Sequence, residues 1–305
     1  MTKFIISKEN AGQRIDKFLL ENYPDFSRAY IQKQIKSGAV LVNGEIKKPS
    51  YILKETDKIE ADILPPEKIS LEPDSSIKFK VIYEDDDVLV IDKPAGLTVH
   101  PSESQKSGTL VNGILARYPL LKEVGDDPTR PSIVHRLDKD TSGLMVVAKN
   151  NSAFEFLKKQ FQEGKVEKKY LALVVGKMEQ KEGEISTFIA RSSSDPTKQK
   201  VTQKEGKNAI TFLKVLEEYP GFSLIEAMPK TGRLHQIRVH LAWIGNPVAG
   251  DKKYGPKNKP LPLGLKRHFL HATELKITLP SDQRKLFSSP LPSDLESILE
   301  VLKKS

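Results

Sequence analysis

The chain of 305 residues carries 49 Lys and Arg against 40 Asp and Glu, a formal net charge of +9, with 38% hydrophobic residues. That length accommodates two domains, one of them with a sizeable core, and the moderate basic excess is compatible with a polyanionic partner without requiring one. The absence of cysteine excludes disulfides, zinc–cysteine sites and thiol catalysis, and no signal-peptide core or membrane-length apolar run occurs, so a cytoplasmic protein is expected.

Residues 1–63 read as a small unit. Gly12 to Leu20 opens an amphipathic helix, and Ser27 to Lys36 forms a second, with Ser27 as N-cap and Gly38 as its stop. Val40-Leu41-Val42 then runs into the hairpin signal Asn43-Gly44. Residues 64–76, proline-punctuated and poor in apolar residues, read as a flexible linker.

Residues 77–305 read as one larger α+β domain. Val81 to Tyr83 and Val88 to Ile91 are predicted strands around the acidic turn Glu84 to Asp87, which reads as a solvated turn rather than a metal site. Leu144 to Ala148 is strand-like, and Ser152 to Phe161 is a predicted helix stopping at Gly164. Tyr170 to Val175, Ala209 to Leu216 and Phe222 to Met228 are further predicted strands, while the polar 191–208 stretch reads as a mobile loop or hairpin tip. Leu234, Ile237, Leu241 and Ile244 share one helical face ahead of Gly245-Asn246-Pro247.

Several clusters carry candidate chemistry. Arg28, Lys33, Lys36, Lys47 and Lys48 lie in a short helix–turn–strand span opposed only by Glu45, a pattern that fits a phosphate backbone or a solvated helix face. His135-Arg136-Leu137-Asp138-Lys139-Asp140 crowds charge ahead of an apolar strand, which is costly unless the charges pair or react. Asp138 and Asp140 face one side if extended and diverge in a tight turn. Alternatives there are a glycosidase carboxylate pair, a metal site, or a cap with a surface ion pair. Arg233 sits near a helix start, against the macrodipole, which hints at an anionic partner. His235 and Arg238 share a face opposite the apolar stripe. Tyr170 opens a strand and either stacks on a base or fills core. The six histidines lack metal-ligand spacing, so no metal is expected. No dinucleotide or P-loop fingerprint is present.

The first unit resembles the alpha-L RNA-binding module known from a ribosomal small-subunit protein, on Ser27-Arg28-x-x-Ile31 through Asn43-Gly44. Four further blocks, in order, resemble the RluA/RluD family of ribosomal large-subunit pseudouridine synthases, nearest the D type. They are Glu84 to Pro101, His135-Arg136-Leu137-Asp138 with Gly143-Leu144, Thr231-Gly232-Arg233-x-His235-Gln236-Ile237-Arg238, and Leu270-His271-Ala272. The resemblance implies an α+β catalytic domain around a mixed, mainly antiparallel sheet, acting on uridine in structured RNA without cofactor, redox partner or metal. Large-subunit (23S) ribosomal RNA is the first target it implies, and transfer RNA an alternative. A monomer with no membrane partner is expected.

Residue by residue, Asp138 matches the catalytic aspartate, Tyr170 the tyrosine that stacks on the target base, and Arg136 the residue that fills the space of a flipped nucleotide. Arg233 resembles the arginine that pairs with the aspartate, with Arg238 the second candidate. His135, Arg28, Lys33, Lys36 and Arg238 are the remaining RNA-binding candidates. Leu234 stands where the family usually has Thr or Ser. The chemistry suits these residue types: a base must leave the stack, at a few kcal/mol, an aromatic platform and an inserted side chain offset that cost, and a buried carboxylate needs an adjacent arginine to stay ionised. Asp138 has three chemistries open to it: attack at C1′, addition at C6, or removal of a sugar proton. An RNA chaperone using the same surfaces and a glycoside hydrolase built on Asp138 and Asp140 are the competing readings.

Overall fold

The computed structural model describes residues 1–65, 71–102, 105–256 and 262–304, and divides the chain into two compact units, Met1–Lys68 and Ile69–Ser305. The first contains β1 (Thr2–Ile5), α1 (Ile15–Asn22), α2 (Arg28–Ser37), β2 (Val40–Val42) and β3 (Lys58–Ala61). Its antiparallel sheet runs β1-β3-β2. Ile15, Phe18 and Leu19 recur at helical spacing and bury with Ile31, Ile35 and Ile59. The Ser27 hydroxyl accepts the Tyr30 N–H at 3.2 Å, and Gly38 ends α2 at φ 85°, both as the sequence requires. Asn43 and Gly44, at φ 53° and 80°, make the hairpin turn between β2 and Glu45.

The second unit contains β4 (Lys80–Glu84), β5 (Val88–Lys93), α3 (Leu110–Arg117), β6 (Ser142–Ala148), α4 (Asn151–Gln162), β7 (Glu167–Val175), β8 (Glu182–Arg191), β9 (Gln199–Thr202), β10 (Lys207–Tyr219), β11 (Phe222–Pro229), α5 (Gln236–Trp243), β12 (Leu270–Thr278), β13 (Arg284–Ser288) and α6 (Ser293–Lys303). One ten-stranded sheet runs β4-β5-β6-β12-β7-β11-β10-β8-β9, with β13 on β12. Every pairing among these is antiparallel except β6 with β12, which meet through Ser142↔His271 and Gly143↔Ala272. This is the mixed, mainly antiparallel sheet that was expected. β6 is buried along its whole length, the pattern of an interior strand covered on both faces. Gly143 has φ 115°, and a Cβ there would lie 2.3 Å from the Ala272 carbonyl oxygen, so only glycine admits this approach.

The structure differs from the sequence reading in a few places. Of the expected linker, residues 66–70 lie outside the described residues; Asp74 N–H donates to the Asn112 carbonyl and the Asn112 amide to the Glu72 carbonyl, tying 72–74 to α3. Within the 191–208 stretch, 192–198 is the tip of a hairpin, as the sequence allowed, but the tip is followed by an edge strand, β9, because Val201 packs with Tyr254 against Ile189, Ala209 and Val239. α4 starts at the Asn150 cap, whose side chain accepts the Ala153 N–H at 2.9 Å. α5 begins only at Gln236, since His235 at φ 58° cannot continue a helix backwards. Among the described residues, no helix is long and apolar enough to cross a membrane.

Candidate active site

The charged turn before β6 brings Asp138 to the edge of the sheet, where it meets α5. The Arg238 Nη1–H donates to Asp138 Oδ2 at 2.7 Å, while its Nε and Nη2 donate to both oxygens of Asp251 at 2.7 and 2.9 Å. Arg238 is thus a planar clamp between two carboxylates, a geometry its rigid fork suits. It is 7% exposed, whereas Asp138 is 16% exposed and faces the cleft. Gly250, at φ 79°, turns the chain so that Asp251 reaches Arg238. Below the turn, the buried Lys93 ammonium donates to the carbonyls of Pro94, Leu97 and Lys139 at 2.8, 2.8 and 3.0 Å. The Thr141 hydroxyl bonds His268 Nε2 at 2.8 Å. The first sequence block therefore contributes a pin for the turn.

Burial alone would raise the Asp138 carboxyl; the charge of His235, which exists only when that ring is protonated, and the Arg238 guanidinium outweigh it and hold the group below its ordinary value. His235 is itself pushed down to about 4, chiefly by burial. At neutral pH the imidazole is therefore uncharged, and Arg238 is the cation that keeps Asp138 ionised. Burial, and then Asp138, push the Tyr170 phenol up. Burial lowers Lys93 to about 7 against the opposing pull of Asp138 and Asp140.

These groups open on a cleft of about 720 Å³ lined by Asp138, Tyr170, Lys168, Arg136, His235 and Arg233, among others. Tyr170 stands on β7 between Ala272 of β12 and Ala227 of β11. Lys168, two residues earlier, shares its face of the strand. Arg136 is exposed at the rim. Asp140 is not among the residues that line the cleft, and its backbone carbonyl accepts from Arg267 at 3.1 Å. Of the two carboxylates in the charged turn, only Asp138 lines the cleft.

Three expectations are corrected. The arginine on Asp138 is Arg238, not Arg233, because α5 starts three residues beyond Arg233; the Arg233 Nε donates instead to the Asn208 carbonyl at 2.8 Å. Arg238 is consequently a buried ion-pair residue rather than an RNA contact. His135 is part of the packing: its Nε2 accepts the Val146 N–H at 2.9 Å and its ring stacks on Phe161 at 4.5 Å. Burial lowers it to about 3, and a neutral ring with that nitrogen engaged holds no phosphate by charge.

In the first unit, Lys33 and Lys36 are exposed on α2. Arg28 is 48% exposed and donates to Asp16 Oδ2 at 3.0 Å. Arg14 makes a two-pronged contact to the same carboxylate at 2.9 and 3.0 Å, and the Gln32 amide adds a third partner at 2.6 Å. Asp16 is fully buried, and the Arg14 contact leads the interactions that hold its carboxyl far below the ordinary range.

Sequence reasoning missed Asp251, Tyr254, Lys168 and Arg14. Lys168 had a usable signal, its two-residue spacing from Tyr170 on a strand. Arg14 had its two-residue spacing from Asp16. Asp251 and Tyr254 follow Gly250 in an irregular segment and carry no local pattern that points to Arg238 or His235.

Residues 87–243 match the model of a family described as RNA pseudouridylate synthase, and residues 13–59 match that of the S4 domain. An uncharacterised RNA pseudouridine synthase of Aquifex aeolicus is 48% identical over 257 residues, covering 83% of this chain and 80% of that protein. The ribosomal large subunit pseudouridine synthase D of Neisseria meningitidis is 40% identical over 304 residues, covering 97% of this chain and 80% of that protein. Among solved structures, human RNA pseudouridylate synthase domain containing 1 superposes with a TM-score of 0.58 at 27% identity, over 77% of this chain and 98% of its own. With a buried, ionised aspartate facing a cleft beside a tyrosine, and with these matches over its length, the chain belongs to the RNA pseudouridine synthase family.

Proposed function

We propose that this chain isomerises uridine to pseudouridine at defined positions of 23S ribosomal RNA, in the cytoplasm and as a single copy. Asp138, Arg238 and Tyr170 come from one chain, so no second copy is needed to complete the site. The observation that carries the reading is Asp138, kept ionised by Arg238 and facing a cleft with Tyr170. A uridine inside folded RNA buries its glycosidic carbon, so the nucleotide must enter that cleft flipped. Tyr170 stacks on the base, Arg136 fills the vacated space, and Asp138 acts at the sugar or the ring as nucleophile or base. Arg238 and Asp251 position the carboxylate without touching substrate.

Lys168, whose lowering to about 8 has burial as its cause, has no carboxylate partner among the described residues; it faces an RNA phosphate. Arg28, Lys33 and Lys36 supply a phosphate-binding face in the S4 domain. The ribosomal target is supported by the name of the Neisseria relative.

The test is chemical mapping of pseudouridine across ribosomal and transfer RNA, in cells lacking the gene and in cells complemented with wild type or Asp138→Asn. Sites in 23S RNA lost on deletion and restored only by wild type are the expected result, with Asp138→Asn at least about 10³-fold slower in vitro. Sites lost only from transfer RNA would move the target, and full activity in Asp138→Asn would remove the catalytic assignment.

A further inference from the structure

His235 is built in a way that its place before α5 does not explain. It holds a left-handed backbone, φ 58° and ψ 17°, without being glycine, and its side chain makes no helix cap. Such a conformation is strained for a residue with a Cβ and persists where the surroundings enforce it. What the backbone achieves is to aim the imidazole into the cleft, with Nε2 4.0 Å from Asp138 Oδ1. That distance is too long for a hydrogen bond, so the nitrogen's capacity is unspent on the carboxylate.

The other ring nitrogen fixes which proton the imidazole carries. Nδ1 lies 2.8 Å from the Tyr254 hydroxyl, and the same hydroxyl accepts the Gln199 N–H at 2.8 Å. A phenol has one proton, and among the described residues the partner left for it is His235 Nδ1. With the phenol proton given to Nδ1, the imidazole carries its own proton on Nε2. Tyr254 cannot easily turn away: its N–H donates to Asp251 at 3.0 Å, and the Arg238 guanidinium lies over its ring at 5.2 Å. The imidazole, pushed down to about 4 by burial, stays neutral at physiological pH.

We propose that His235, locked as its Nε2–H tautomer by Tyr254, donates a hydrogen bond to a carbonyl oxygen of the uracil while the base is detached from ribose. The inference rests on the pseudouridine synthase reading and adds a role to it. When the C1′–N1 bond breaks, the electron pair stays with the ring and spreads to the carbonyl oxygens. It returns to C1′ through C5, and the C5 proton is replaced by one on N1, so composition is unchanged. A fixed donor aimed at that transient negative charge stabilises the exchange more than the intact uridine. A neutral imidazole does so without cancelling the charge of Asp138, as a protonated one would.

The test uses the full chain with ¹⁵N-labelled histidine, its His235 resonances assigned by comparison with His235→Asn. Wild type should show Nδ1 unprotonated and Nε2 protonated at neutral pH, and Tyr254→Phe should show a mixture of tautomers. On bound RNA, Tyr254→Phe should slow single-turnover pseudouridine formation about 10- to 100-fold, with RNA affinity within about twofold. His235→Asn, which tolerates the left-handed backbone and keeps a shorter N–H donor, guards against a folding artefact and should retain more activity than His235→Ala. An Nδ1–H tautomer in wild type, or a scrambled tautomer with unchanged turnover, overturns the donor role alone. A wild-type chain with the Nε2–H tautomer that modifies no RNA overturns the synthase reading and the donor role with it.

Discussion

The two units each contain a cluster of arginine and aspartate, assembled in opposite proportions. In the S4 domain one fully buried carboxylate, Asp16, holds two arginines that are 37% and 48% exposed. In the second unit one buried arginine, Arg238, holds two carboxylates, of which Asp138 reaches the cleft. The first cluster has a surplus of one positive charge, directed outward; the second has a surplus of one negative charge, directed into the cleft. The same ion-pair chemistry thus leaves two half-exposed arginines in one place and a carboxylate on a cleft in the other. The buried member sets the geometry, and the member in excess is the one presented to solvent.

Removing the buried member should break the second cluster most severely. Arg238→Leu strands Asp138 and Asp251 without a cation, a loss of roughly 3–5 kcal/mol in stability with activity abolished, to be read by urea unfolding at pH 7. Both carboxylates have folded-state values below their ordinary ones. Their stabilising contribution is therefore present above the unfolded value and lost as pH falls. The gap between wild type and variant should accordingly narrow in acid, and a gap that widens there would contradict the two-carboxylate clamp.

A change to an outward member should act on binding alone. Arg28→Gln leaves Arg14 on Asp16, so the domain should stay folded. RNA affinity should fall about 3- to 10-fold, and the slope of log Kd against log salt should become shallower by about 0.7–0.9 if one phosphate contact is lost. The turnover of saturated enzyme should not change; an unaltered salt slope would show that this arginine touches no phosphate.

The smallest effect sharpens the contrast between partnered and unpartnered cations. The arginines on Asp16 stay charged at any working pH, whereas Lys168 is pushed down to about 8. Its charge is present below that value and is lost above it. RNA binding measured from pH 7 to 9 should therefore weaken about threefold more in wild type than in Lys168→Met. Parallel pH profiles would remove Lys168 from the RNA interface.

What the sequence disclosed follows the same division between local and distant. Asp138 and Tyr170 were singled out only through the resemblance of their blocks to a family, since the residues alone fit a capped turn and a core tyrosine equally; the structure sets both on one cleft. The Ser27 cap, the Gly38 stop and the Asn43-Gly44 turn were legible because backbone geometry dictates those residue types. The choice between Arg233 and Arg238 failed because it depends on where α5 begins, and that is set by the left-handed His235, which no propensity signals. Asp251 and Tyr254 stayed hidden because their partners are defined only by tertiary packing. Asp16 read as one polar residue of an amphipathic helix; its burial under two arginines appears only when α1 and α2 are packed together.

The parallel junction between β6 and β12 also orders events while the chain is being made. Its partners Ser142 and His271 are far apart in sequence, and Arg238 must also be present before Asp138 has its cation. The S4 domain's clusters and core, by contrast, involve only its own residues, the last of them Ile63. At a synthesis rate of about 5–20 residues per second, roughly 200 residues and some 10–40 s separate the two completions. During translation the Asp16 cluster of the S4 domain is therefore assembled well before Asp138 gains its cation; on the function proposed above, a nascent chain would hold RNA only as a ligand until its C-terminal strands arrive.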